Sequence, residues 1–279
     1  MQIKLLKSDE LPKFDSPPVL ETVLSVQFKP LTNFSSILIG VFWKNYLESG
    51  WDSFNQVSPL SDQFERFGKD KKWSIGAAQI MIGSGSFPHR IQILRNDGQR
   101  MLQIQNSRFI LNWKKAKGEY PSYDELLSEF LSYYEKFVKF AQENNLGEIQ
   151  HNQWEVTYVN HIPLGEMWNT ISEISEVLPW VLPPATDVLN QIPDDYACRW
   201  ALSIDENLGR LHIDLKRVRV ESEDGPEVLN LNLTARGPID VESGIDMNTG
   251  FNIGHNSIVQ SFDSIISDTA KSDKYWKKR

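Results

Sequence analysis

Hydrophobic and polar positions alternate along this chain in two rhythms, period two and period 3.6. After a polar stretch holding Pro12 and the pair Pro17-Pro18, residues 21–28 place Leu24, Val26 and Phe28 on one side of an extended segment that Pro30 ends. Phe34, Ile37, Leu38, Val41, Phe42 and Tyr46 then recur at helical spacing, which predicts a helix over about 34–49, capped by Thr32 or Asn33 and stopped at Gly50. Residues 51–72 have no period and are expected to be irregular. Period two returns over 73–114, with one strand or a broken pair at about 75–82, strands at about 90–94, 101–105 and 108–113, and a hairpin turn at Asn96-Asp97-Gly98. A long helix over about 123–144 carries Leu126, Leu127, Phe130, Leu131, Tyr134, Phe137, Val138 and Ala141 as one stripe, closed by Asn144-Asn145-Leu146-Gly147.

The second half follows the same order. A strand at 154–162 ends at Pro163, a short helix is expected at 165–177, and 178–195 is proline-punctuated and irregular. Strands follow at 197–204, 210–220 and 228–236, then a last helix at about 255–268. The expected fold is α+β: an internally duplicated strand–helix–antiparallel sheet–helix unit, with a leader at 1–18, a first repeat at 19–147 and a second at 148–279, whether as separate bodies or one continuous domain. In architecture this is TATA-binding-protein-like or helix-grip-like, an analogy that implies nothing about DNA.

Alternation also sorts the sheet faces. Leu102, Ile104, Leu211, Ile213, Leu229, Leu231 and Leu233 turn toward helices. Gln103, Gln105, His212, Asp214, Asn230, Asn232 and Thr234 turn the other way, with Glu155 and Thr157 as further members. This second face is rich in amides and hydroxyls rather than charge of one sign. It reads either as an ordinary solvated face or as a recognition surface built on hydrogen bonds.

Composition narrows the function classes. The chain of 279 residues is 40% apolar with nine Trp, which excludes a disordered chain. One cysteine, Cys198, excludes a disulfide scaffold or a Cys-rich zinc module. The net charge of −8 argues against a general phosphate-backbone binder. The exception is the tail Lys271–Arg279, where five basic residues and one acid give a local +4, so any nucleic-acid contact is expected only there. No stretch approaches the ~18 apolar residues of a membrane span, and the N-terminus has no apolar core of signal-peptide length, so a cytoplasmic protein without a membrane segment is expected.

Catalytic signatures are sparse. The five histidines form no metal motif, and neither a metal nor a cofactor is expected. His161 ends a strand, His255 follows Gly254 at the expected start of the last helix, and Glu155 shares a strand face with His161. With Arg236 these are the candidates for acid–base work. His212 and Asp214 form a second, generic pair. No nucleophile elbow, P-loop, kinase signature or dinucleotide fingerprint occurs.

Several segments together carry a resemblance: Pro17-Pro18 with Glu21, Val23 and Ser25-Val26-Gln27-Phe28; Phe42-Trp43; Arg108-Phe109-Ile110-Leu111-Asn112-Trp113; Tyr120-Pro121 with Tyr123; Tyr158-Val159-Asn160-His161-Ile162-Pro163; Leu233-Thr234-Ala235-Arg236-Gly237; and Gly254-His255. Over nearly its whole length the chain resembles a sporadically distributed family of prokaryotic proteins that has no established activity. The resemblance implies a setting in mobile elements such as antiviral defence or toxin–antitoxin-like loci. It draws attention to Asn112, Asn160, His161, Arg236 and His255, several of which are expected to converge if the repeats pack side by side. The Trp-Gly-Arg ending usual in that family is replaced here by Trp276-Lys277-Lys278-Arg279. The expectation is a non-enzymatic recognition protein that binds a protein partner, a second copy or a small ligand through Gln103, Gln105, Asn112, Asn160, His212, Asn230, Asn232 and Thr234. The alternative is a hydrolase or nuclease centred on His161 and His255.

Overall fold

Strand β1 (Val19–Phe28) opens a nine-stranded sheet in which all the paired registers seen are antiparallel. The computed structural model describes residues 6–7, 10–65, 67, 89–116, 120–181, 195–220 and 225–279. The further strands are β2 (Trp51–Val57), β3 (Arg90–Arg95), β4 (Arg100–Gln105), β5 (Arg108–Lys114), β6 (His151–Pro163), β7 (Ala197–Ile204), β8 (Gly209–Arg219) and β9 (Glu227–Pro238). Their order across the sheet is β2-β3-β4-β5-β1-β6-β9-β8-β7. The helices are α1 (Ser36–Tyr46), α2 (Tyr123–Glu143), α3 (Ile174–Val177), α4 (Asp205–Leu208) and α5 (Met247–Ile265). The expected α+β class with an antiparallel sheet is therefore observed. The strand expected at 75–82 lies outside the described residues.

The chain forms two compact units. One comprises Val23–Glu155 with Gly237–Gly250, and the other Met1–Thr22, Val156–Arg236 and Phe251–Arg279. The expected leader thus belongs to the same unit as the C-terminus, and α5 and β6 each contribute to both.

In the first unit α2 packs on the sheet. Its N-terminus is a capping box: Ser122 Oγ accepts from the Glu125 amide and Glu125 accepts from the Ser122 amide, satisfying two donors that a helix start leaves free. Asn145 and Gly147, at φ +52° and +118°, turn the chain out at the far end. One face of α2 buries Leu126, Phe130, Tyr134, Phe137 and Phe140. Phe137 lies within ring-contact distance of Phe28, Phe42, Phe109 and Phe140. Leu24, Val26 and Phe28 of β1 and Leu102 and Ile104 of β4 are all buried, as alternation required.

Three expectations in this unit are corrected. Segment 51–57 is strand β2, paired with β3; of its residues only Trp51 is buried, so an edge strand shows no alternation to read. Helix α1 is capped at Ser35 rather than Thr32 or Asn33, without a side-chain bond, and it ends at Tyr46. Its buried residues are Ile39 and Phe42, while Ile37 is 83% exposed. The apolar stripe is rotated because four of the five residues Ile37–Val41 are apolar and can face either way.

In the second unit Leu211, Ile213 and Leu215 of β8 and Leu229, Leu231 and Leu233 of β9 are buried, and so are Phe251, Ile258 and Phe262 of α5. The helix expected at 165–177 is instead a turn, a 3-10 turn at Ile171–Glu173 and the single turn α3. Helix α5 starts at Met247, not 255. Asp246 accepts from the Thr249 amide at 2.7 Å, which caps the earlier start. Gly250 and Gly254 disguised that first stretch as a loop.

Candidate functional site

On the sheet face away from α2, the first unit carries a row of buried amides. Gln27, Gln103, Gln105, Asn112 and Gln153 are each at most 5% exposed. Gln92 donates to Gln103 at 3.1 Å, and Gln103 donates to Asn112 at 2.7 Å. The others hold main chain. Gln105 accepts from the Leu60 amide at 2.9 Å and donates to the Leu60 carbonyl at 3.0 Å. Gln27 does the same with Gln63, at 2.9 and 3.1 Å. Gln153 accepts from the Glu65 amide at 3.2 Å and donates to the Gln63 carbonyl at 2.7 Å. Arg108 donates to the Ser61 carbonyl and to Gln27, and its guanidinium lies 3.9 Å from Glu155. Ser107 donates to Asp62 at 2.9 Å.

Segment 60–65 is therefore held mainly by its backbone. Of its side chains, Asp62 accepts from Ser107, while Leu60 and Phe64 stay outside at 37% and 56% exposed. A primary amide carries both a donor and an acceptor, so it matches the N–H and C=O of one residue whatever that residue's side chain. Each such bond contributes about 1 kcal/mol net, and a buried amide left unmatched costs roughly 1–3 kcal/mol. In this unit the amide face is thus neither solvated nor vacant.

The second unit presents a polar face on β8 and β9. Cross-strand rows place Arg210 opposite Arg236, His212 opposite Thr234 and Asp214 opposite Asn232. Thr234 and Thr157 share a hydroxyl–hydroxyl bond at 2.9 Å, and Arg199 of β7 donates to Asp214 at 2.7 Å. His212, Asp214, Asn230, Asn232 and Thr234 are all half-buried. The Oδ1 atoms of Asn230 and Asn232 are buried, with no hydrogen-bond partner among the described residues.

The structure does not gather the other candidates. Along β6 the buried positions are Trp154, Val156, Tyr158, Asn160 and Ile162, and the half-buried ones are Glu155, Thr157, Val159 and His161. Asn160 therefore lies on the helix-facing side, where its amide donates to the Leu231 carbonyl at 3.0 Å; it is a core residue, not a member of the polar face. The Tyr158 hydroxyl is 2.8 Å from His255 Nδ1. His255 thus belongs to the same inner side, whereas His161 points to the opposite face. The sheet stands between the two histidines. His255 sits inside α5 rather than at its start, and burial, not a helix N-terminus, pushes its imidazole down to about 4. Glu155 bonds toward Arg108. Burial also pushes the Cys198 thiol up, away from the thiolate form. Among the described residues no group of three His, Cys, Asp or Glu side chains is placed to hold a metal ion.

The basic tail is engaged within its own unit. Lys278 and Lys271 lie 2.7 and 3.6 Å from Asp263. Lys277 lies 3.6 Å from Asp15, which Arg279 also contacts. Phe14 packs edge-on against Phe262, whose other neighbour is Trp276. The tail therefore reads as a clasp on segment 13–16, and its positive charge is largely matched locally. No helix among the described residues is long and apolar enough to cross a membrane.

Alternation places Gln103 and Gln105 on the polar face, and the structure adds Gln27, Arg108 and Gln153 to the same row. The signal was present: Gln27 alternates with Val26 and Phe28, and so falls on the face opposite the core. No protein-family model matches the chain, and no curated protein matches its sequence.

Proposed function

We propose that this chain is a non-enzymatic recognition protein that binds a polypeptide partner through the polar face of β8 and β9. The observation that carries this reading is the half-exposed polar row His212, Asp214, Asn230, Asn232 and Thr234 on that face, in which the Asn230 and Asn232 oxygens have no hydrogen-bond partner among the described residues. An unmatched buried acceptor costs roughly 1–3 kcal/mol. These two oxygens are closed off inside the chain, so their cost is borne by the fold itself, and a partner meets the row through its half-exposed atoms. His212, Thr234 and the Arg199–Asp214 pair flank the row and supply further polar contacts. The hydrolase or nuclease alternative lacks comparable support, because His161 and His255 lie on opposite faces of β6. A setting in prokaryotic defence or toxin–antitoxin-like loci, and a place in the cytoplasm, remain part of the proposal on the family resemblance and the sequence alone.

Urea unfolding of the double variant Asn230→Leu/Asn232→Leu tests the reading. Leucine has a similar volume and no acceptor to leave unmatched. The variant is expected to gain about 1 kcal/mol with an unchanged denaturant slope. A loss of that size would show that the amides support the fold, and the reading would fail.

A further inference from the structure

The first unit shows which chemistry its amide face accepts. Gln27 and Gln105 each pair with both the N–H and the C=O of one residue in segment 60–65, and Gln153 joins the Gln63 carbonyl to the Glu65 amide. The amide and carbonyl of one residue reach the same side where the chain is locally extended, as at residues 60 and 63, and a bend between these two, three positions apart, turns both toward the sheet. The side chains of Leu60, Gln63 and Phe64 are exposed, while that of Asp62 accepts from Ser107, so the face reads mainly backbone.

We infer that the Gln27–Gln105–Gln153 row is a main-chain recognition site for an extended segment of a partner polypeptide, and that segment 60–65 is its resident, displaceable occupant. The inference deepens the recognition reading by naming what is bound, but it concerns a different face and does not require Asn230 or Asn232. The fit follows from what is seated. Six side-chain-amide bonds reach the backbone of residues 60, 63 and 65, and Arg108 adds one to the Ser61 carbonyl. Any segment with free amides at that spacing offers the same partners. The resident segment competes as a tethered ligand at an effective concentration of order mM. Binding in trans is therefore weak until that segment is released, which makes the arrangement a self-occupied site.

The test uses a variant in which the occupant cannot seat. Leu60→Pro/Gln63→Pro removes the two amides that Gln105 and Gln27 accept from and leaves the sheet side chains in place. The probe is a fluorescein-labelled synthetic peptide of residues 58–65, followed by anisotropy against the full-length chain. The released variant is expected to bind the peptide at least about tenfold more tightly than the wild type does. A peptide that keeps Pro59 and Asp62 but replaces Leu60, Gln63 and Phe64 by other non-proline residues should bind within about threefold, because those side chains are not read. The same peptide N-methylated at the positions of Leu60 and Gln63 should not bind. Absence of binding to a variant that keeps a cooperative unfolding transition overturns the inference, as does equal binding of the N-methylated peptide. So does a variant that dimerises by exchanging segment 60–65 without taking up peptide. If the variant does not fold, the wild type decides. Saturating peptide should then increase hydrogen exchange at the amides of Leu60 and Gln63, and unchanged exchange overturns the inference. Because Asn230 and Asn232 are untouched throughout, failure here leaves the β8–β9 reading standing, and the reverse also holds.

Discussion

Gly250→Ala is expected to cost about 3 kcal/mol, a large effect for one methyl group on a helix. Elsewhere in a helix the same change stabilises by up to about 1 kcal/mol. Here an added Cβ would lie 2.2 Å from Cδ1 and 2.4 Å from Cγ of Trp154. That indole is wholly buried, so it cannot swing away. Either the helix start lifts from β6 or the indole leaves its rotamer, and both break packing at a point where Trp154 fills the interior. Urea denaturation of a double-mutant cycle checks this. Trp154→Ala alone should cost about 3–5 kcal/mol. In that background Gly250→Ala should become neutral or mildly stabilising, since the overlap is gone and the helical preference for alanine remains. Additive losses would show that Gly250 serves some purpose other than admitting Trp154.

The second large effect is expected at Phe137. Its ring is fully buried and lies 5.2–6.1 Å from the rings of Phe109, Phe42 and Phe28, which come from β5, α1 and β1. One side chain thus ties helix α2 to three other elements. Truncation removes the ring's burial and leaves a cavity whose walls are themselves rigid aromatics that cannot collapse into it. Phe137→Ala should lose about 4 kcal/mol and Phe137→Leu about a third of that, read from equilibrium unfolding. A loss below about 1 kcal/mol for the alanine variant would mean that the cluster repacks, and the account of this core would need revision.

These two positions also show where sequence reading succeeds and where it stops. The stripe on α2 is legible because its apolar and aromatic residues hold a helical period over about five turns. Strand β2 is not, because an edge strand that buries only Trp51 carries no alternation. The early start of α5 is hidden because Gly250 and Gly254 look like breakers; the reason for Gly250 is a tryptophan far away in sequence. For the site, alternation alone correctly separates Gln103, Gln105, Asn230, Asn232 and Thr234 from the core positions. The same parity applied to β6 groups Asn160 with Tyr158 and Ile162, which is where it lies. What alternation cannot supply is the occupant. That Gln27, Gln105 and Gln153 hold the backbone of residues 60–65 depends on a segment with no period of its own. The separation of His161 from His255 likewise depends on tertiary placement, through the contact of His255 with Tyr158.

The central claim is that the polar face of β8 and β9 exists to bind another polypeptide. Native mass spectrometry of the protein isolated from the cells that make it tests this most directly, with the wild type compared with Asn230→Leu/Asn232→Leu. The account predicts a stoichiometric second polypeptide on the wild type that is lost from the variant while the variant stays folded. A wild type that is monomeric and hydrolyses RNA or nucleotides, or a variant that retains its partner in full, would contradict it.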